Sequence, residues 1–183
     1  MESDVDNYIL RPIQDDDITK NLSLGLASFE PLKTFLRKSA LDFHRYDIAK
    51  TYVLVEPDKT PARVWGYITL MNSEIDLAQS SRPNESPALG RYESFPAVKI
   101  ARLAVDKSLQ RNGWGRMMLD WSINLVRLAI MPHVGCRFIV VDSKKESIFF
   151  YQQSGFMLLN KETAESEEHP PMYFDLHSNK LTS

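Results

Sequence analysis

The chain has 183 residues, 43% of them hydrophobic and 25% charged, with a net charge of −2. This composition fits one soluble globular domain over the whole length, with a sizeable core and no global nucleic-acid footprint, although a local basic patch stays open. A single cysteine excludes an internal disulfide framework. No apolar run reaches membrane-spanning length, and the acidic start Met1–Asp6 lacks the regions of a secretory signal, so a cytoplasmic protein is expected.

Tyr8–Ile13 reads as a short first strand, and Pro12 suggests its edge or its end. Asp15, Asp16 and Asp17 read as caps for a following helix rather than as metal ligands, because no second set of oxygen donors completes a cage. No metal site is expected. A broken helical region is predicted from about Ile18 to Tyr46, with Pro31 starting its second helix. Leu32, Phe35, Leu36, Ala40 and Phe43 would form the apolar face of that helix. Lys33, Arg37, Lys38, His44 and Arg45 supply its polar side, either as a solvated face or as a docking surface for an anionic acceptor. His44 reads as a surface histidine rather than a base. Lys50–Glu56 and Arg63–Leu70 predict two strands of a hairpin, and Gly66 within the second marks a bulge or a close backbone approach. From about Asp76 to Pro96 the pattern stops, and such length inside a domain points to a functional cover or to mobility.

Val98–Val105 predicts another strand. Asp106–Leu109 is a polar turn, and Gln110-Arg111-Asn112-Gly113-Trp114-Gly115-Arg116 leads into a helical pattern. Met117, Met118, Trp121, Leu125, Leu128 and Ala129 would line one face of that helix. Strand, glycine-containing turn and helix N-terminus together make a phosphate-collecting geometry. The first N–H groups of a helix lack internal partners, and the aligned peptide dipoles put partial positive charge there. Glycine lets backbone approach a pyrophosphate closely, and Arg111 and Arg116 can add charge at the rim. The dinucleotide fingerprint is excluded because its third glycine is missing, and the P-loop is excluded because Gly-Lys-Ser/Thr is missing. Arg137–Val141 predicts the next strand, which Cys136 opens as buried packing. Ser147–Gln153 predicts a short helix, Met157–Leu159 a further strand, Lys161–His169 a loop, and Met172–Leu176 a closing strand.

Two motifs in order, Gln110-x-x-Gly113-x-Gly115 and Tyr151-x-x-x-Gly155-Phe156, resemble those of the GNAT N-acetyltransferases. The resemblance covers roughly Val98–Phe156. It implies an α/β (α+β) fold whose mixed central sheet is splayed at an acetyl-CoA site and flanked by helices. It also implies acetyl transfer from acetyl-CoA to a primary amine by direct attack. On that resemblance the backbone of Leu103, Ala104 and Val105 pairs with the pantetheine arm and polarises the thioester. Gln110, Arg111, Asn112, Gly113, Trp114, Gly115 and Arg116 surround the pyrophosphate, and Ser147 also lies at the cofactor. With that motif in register Tyr151 becomes the candidate general acid for the leaving thiolate, since a phenol's ordinary pKa is about 10; the residues alone favour Tyr151 packing beside Phe149, Phe150 and Phe156. Trp114 reads more as packing than as base stacking. No general base is identifiable, and Glu74, Glu93 and Asp106 read as surface charge. Family members often carry Asn seven residues before the tyrosine, where this chain has Lys144.

The run Phe95–Asp106, the preceding excursion and Lys50–Leu54 resemble the acetyltransferase toxins of toxin–antitoxin pairs. That implies aminoacyl-tRNA as acceptor, with Arg37, Lys38 and Arg45 toward RNA phosphates. An antitoxin protein and a second copy of the chain are further partners it allows, with no membrane partner. The competing readings are a metabolic or protein N-acetyltransferase acting on a small amine or peptide, and a non-catalytic acyl-CoA or partner-binding domain.

Overall fold

The structure is a computed structural model that describes residues 7–78 and 81–178. Its strands are β1 (Ile9–Pro12), β2 (Lys50–Val55), β3 (Gly66–Asp76), β4 (Ser94–Val105), β5 (Phe138–Asp142), β6 (Met157–Leu158) and β7 (Pro171–Asp175). Its helices are α1 (Glu30–Lys38), α2 (Ala40–Arg45), α3 (Trp114–Leu125) and α4 (Ile148–Gln153). The strands form a mixed seven-stranded sheet in the order β1-β2-β3-β4-β5-β7-β6. The chain divides into two compact units, one of residues 1–71 with 101–121, the other of residues 72–100 with 122–183.

In the first unit β1 pairs antiparallel with β2, from Ile9↔Val55 to Pro12↔Tyr52. Pro12 ends an edge strand, where a missing donor is tolerated. β2 and β3 form the expected hairpin, with Lys50 opposite Leu70 and Leu54 opposite Gly66. The core between this sheet and α1 gathers Ile13, Leu22, Leu36, Ala40, Val53, Val55, Val64 and Tyr67. Polar atoms in it are matched: the Tyr67 hydroxyl donates to the Leu32 carbonyl at 2.7 Å, and the Thr51 and Thr69 hydroxyls meet at 2.9 Å. The long helical region expected from Ile18 is shorter and begins later, with Pro31 in the first turn of α1 as predicted. Ile18 instead forms a bridge with Arg63: its N–H donates to the Ala62 carbonyl at 2.8 Å, and its carbonyl accepts from Val64 N–H at 3.2 Å. Asp17 caps no helix; its carboxylate accepts two hydrogen bonds from Arg11, at 2.9 and 2.7 Å, and one from Gln14 N–H.

In the second unit β4 and β5 run parallel over Ala97↔Phe138 to Lys99↔Val140. β7 pairs antiparallel with both β5 and β6. Phe138 packs edge-on between Phe95 and Tyr173, with 5.9 Å between centroids on each side. β3 and β4 extend past their predicted ends, so the excursion narrows to roughly residues 77–93. Leu77 N–H donates to the Glu93 carbonyl at its base. Arg82 donates to the carbonyls of Leu77 and Gly90, and Arg137 reaches both Glu85 and Asp175. The helix after the glycine turn changes character at Val126–Ile130, a π-helical turn in which Met131 N–H bonds the Val126 carbonyl. The wider turn breaks the three-and-four spacing, which is why Leu128, expected on the buried face, is 78% exposed. Among the described residues no helix is long and apolar enough to cross a membrane.

Gly66 is the close approach its position in a strand suggested. A Cβ there would stand 3.0 Å from the Ala104 carbonyl oxygen and 3.4 Å from the Met118 side chain. Gly66→Ala is therefore expected to lower unfolding stability by about 1–3 kcal/mol, the usual scale of overpacking. Urea denaturation of parent and variant measures it; an unchanged midpoint would contradict the contact.

Candidate functional site

The first unit brings the strand end and the glycine turn together. Leu103, Ala104 and Val105 close β4, and Asp106 follows with its side chain buried at 4% exposure. One Asp106 carboxylate oxygen accepts from Ser23 N–H at 2.9 Å and faces the Arg63 guanidinium at 3.5 Å. The other accepts from Ser108 N–H at 3.0 Å and the Ser108 hydroxyl at 2.8 Å. The backbone is equally committed: Asp106 N–H donates to the Trp65 carbonyl, and its carbonyl accepts from Leu109 and Gln110 N–H. Asp106 is thus no surface charge; it fastens three chain segments at the base of the turn. Burial pushes its carboxyl up, but the hydrogen bonds from Ser23 and Ser108 and the Arg63 charge outweigh that and leave it below the usual carboxylate range.

From this anchor the chain turns through Arg111 (φ 65°) and Gly113 (φ 84°), both in the left-handed region. A Cβ on Gly113 would meet nothing within 4 Å. The turn is therefore open on that side and conformationally suited to glycine. Met117 N–H bonds the Gly113 carbonyl at 2.9 Å, the first bond of α3. Trp114 and Gly115 open α3 ahead of that bond, so their backbone stands at the positive end of the helix. Arg111, Asn112 and Gly113 are exposed.

Three side chains of this stretch point elsewhere. The Gln110 amide donates back to Val105 and Leu24 carbonyls at 3.0 and 3.4 Å, tying the turn to its own strand. Trp114 is 5% exposed and meets the Tyr8 ring edge-on at 5.1 Å, in a cluster with Leu54 and Met118. Its ring is packing, as expected, and only its backbone remains for a ligand. Arg116 Nε binds both Asp120 oxygens at 2.9 Å.

The second unit holds the other predicted residues. Ser147 ends a 3-10 turn and precedes α4, and Tyr151 lies one turn into that helix. Tyr151 packs edge-on against Phe150 and Phe156, at 5.0 and 5.4 Å between centroids. Burial of this ring drives the phenol well above its ordinary value, so it stays protonated at any working pH. Gly155 (φ 87°) closes the helix, with Phe156 N–H and Ser154 N–H both on the Tyr151 carbonyl. Cys136 is buried and burial pushes its thiol up, which is the environment of an inert cysteine. His44 is half-buried, and its Nδ1 accepts from Thr51 N–H at 3.1 Å.

The Asp106 anchor gives a pH dependence with a definite sign. A carboxyl held below its unfolded value of about 3.9 contributes stability in full above that range. The contribution shrinks as pH falls through the unfolded value and vanishes below the depressed folded one. Urea midpoints measured from neutral to acidic pH should show this acid limb flattened in Asp106→Asn; an identical limb in both proteins would remove the carboxylate from the account.

The Acetyltransferase (GNAT) family model matches residues 26–156, which takes in the turn and the Tyr-x-x-x-Gly-Phe segment. The structure is similar to that of a Tyr→Phe mutant of KacT, with 26% identity over 93% of this chain and 95% of that one and a TM-score of 0.76. It is similar to AtaT complexed with acetyl-methionyl-tRNAfMet, with 26% identity over 92% of this chain and 95% of that one and a TM-score of 0.74. It is also similar to a Tyr→Phe mutant of the AtaT toxin bound to the C-terminus of the antitoxin AtaR and acetyl-CoA, with 25% identity over 93% and 94% and a TM-score of 0.71. With the strand, turn, helix and tyrosine segment all inside the matched region, this chain belongs to the GNAT acetyltransferase family and is an acetyl-CoA-dependent enzyme.

Proposed function

We propose that residues 1–183 act as a single acetyltransferase domain, a cytoplasmic toxin that acetylates the amino group of aminoacyl-tRNA. The observation that carries this reading is the likeness, over nearly the whole of both chains, to AtaT held with an acetylated aminoacyl-tRNA. In this reading an antitoxin is the protein partner, as AtaR is for AtaT, and a second copy of the chain is a further one.

Acetyl-CoA is the substrate that the turn would receive. The open face at Gly113, the α3 N-terminus at Trp114 and Gly115, and the Arg111 charge suit a pyrophosphate. Gln110 acts by holding the turn rather than by touching the ligand. Leu103, Ala104 and Val105 offer backbone to the pantetheine arm, consistent with a β4 that runs on beyond its parallel register with β5. The amine nitrogen attacks the thioester carbonyl carbon, the C–N bond forms, and the C–S bond breaks as the tetrahedral intermediate collapses. The amine proton leaves to solvent. Tyr151 gives its proton to the departing thiolate and recovers one from solvent; burial keeps the phenol protonated until the thiolate forms. Ser147, at the start of the same short helix, lies on the cofactor side in this reading.

Two variants test the assignment. Gly113→Asp tolerates the left-handed backbone yet places a negative charge on the open face. It should weaken CoA binding by about tenfold or more in calorimetry, given the cost of opposing like charges; unaltered affinity in a folded variant would discard the turn. Tyr151→Phe should bind acetyl-CoA as the parent does and turn over aminoacyl-tRNA about 10²-fold more slowly. Parent protein that leaves charged tRNA unblocked while acetylating a polyamine or a peptide would refute the tRNA acceptor and leave the enzyme class intact.

A further inference from the structure

The cations expected to face RNA are mostly engaged within their own unit. Arg37 and Lys33 both bind Glu30, at 2.9 and 2.7 Å, Arg45 is paired with Asp15, and Lys50 with Asp47. The Arg45–Asp15 and Lys50–Asp47 pairs present little net charge for a phosphate to replace counterions on, and Arg37 and Lys33 share one carboxylate and keep a single net positive charge between them. Arg102 differs. It is exposed on β4, immediately before the Leu103–Val105 backbone, and no carboxylate pairs with it among the described residues. The hydrogen bond its guanidinium makes is to its neighbour's carbonyl, Ala101, at 2.5 Å.

Its position is nevertheless set. The guanidinium carbon lies 5.1 Å from the centroid of the Phe35 ring on α1, a cation–π contact. Phe35 is itself held by Phe43, edge-on at 5.5 Å, and by Tyr67, stacked at 6.5 Å. Tyr67 in turn is fully buried and hydrogen-bonded to Leu32 of the same helix. Arg102 is thus a full positive charge on a rigid aromatic support, with most of its N–H donors uncommitted. Such a group loses little side-chain freedom when an anion binds, and its planar fork suits phosphate.

We propose that Arg102 binds a backbone phosphate at the acceptor end of the RNA and so sets the preference for aminoacyl-tRNA over phosphate-free amines. This rests on the tRNA reading above. Arg102 is a substrate-binding residue here and takes no part in the proton transfers. Lys38, three residues after Phe35 on α1, is likewise exposed without a carboxylate partner among the described residues.

The test compares two acceptors carrying the same aminoacyl group: aminoacyl-tRNA, and the phosphate-free 3′-aminoacylamino-3′-deoxyadenosine. For Arg102→Gln, KM for aminoacyl-tRNA should rise about tenfold, the scale of one lost charged hydrogen bond. The slope of log affinity against log salt should shrink by about 1. KM for the nucleoside should not change, and Arg102→Lys should keep the parental salt slope. Arg102→Met, which keeps an apolar stem on Phe35, replaces the Gln variant if that one fails to fold. Equal losses on both acceptors, or an unchanged salt slope, would overturn the phosphate contact while the tRNA reading stands. Parent protein that acetylates the nucleoside or another amine but no aminoacyl-tRNA would bring down both together.

Discussion

The buried carboxylate of Asp106 is the interaction on which the candidate site depends. A charge at 4% exposure is tolerable only when its lone pairs are filled. Here Ser23, Ser108 and Arg63 fill them, and each of these partners belongs to a different stretch of chain. The consequence is mechanical. The end of β4, the Ser23 segment and the approach to the glycine turn share one fastening point, and the Gln110 amide adds a second tie to Val105. A turn held in this way is organised before any ligand arrives, so the proposed pyrophosphate contact would spend no binding free energy on ordering it. The aromatic cluster of Tyr8, Trp65 and Trp114 completes the support by seating the first residue of α3 on apolar packing.

Much of this was legible in the residues. Gln110-x-x-Gly113-x-Gly115 after a β-branched run marked the turn, and the left-handed φ of Gly113 is the physical reason for glycine there. Gly66 within a strand pattern announced the close approach to Ala104. Residue type alone reads Asp106 as surface charge, and the structure buries it, because exposure is not a property of a residue type. A signal was present: an aspartate two residues before a serine, right after a strand, is the arrangement that caps a turn. The helix expected from Ile18 does not form because Ile18 pairs at long range with the Arg63 segment, and Leu22 and Leu24, at strand-like spacing, are buried in the core cluster. The polar face of α1 and α2 reads as basic because its partners are not singled out by residue type: Glu30 serves Lys33 and Arg37 within α1, and Asp15, which pairs with Arg45, is remote in sequence.

Two arginines give the excursion of roughly residues 77–93 its shape. Arg82 donates to backbone carbonyls at both of its ends, and Arg137 joins Glu85 to Asp175 of β7. The hydrogen bond from the Arg137 side chain holds the Glu85 carboxyl below its ordinary range. Composition alone makes this stretch irregular; among its described residues the Leu77 and Gly90 carbonyls accept from the Arg82 side chain, while those of Ala78, Ser86, Ala88 and Leu89 accept from backbone N–H groups of local turns.

The π-helical turn at Val126–Ile130 carries a different lesson. A π bond spans five residues where an α bond spans four, so the turn contains one residue more than a continuous helix requires. Arg127, inside it, donates to the Leu176 carbonyl at 3.1 and 2.8 Å and lies over the Phe174 ring at 5.7 Å. The extra residue therefore sets the angular position of Arg127's successors without disturbing the helix before it. Chain length can change here by one residue through an exchange of π for α hydrogen bonding, with no loop gained or lost. In an aligned set of relatives, a single-residue gap would fall inside this helix, a place where gaps are ordinarily taken as errors.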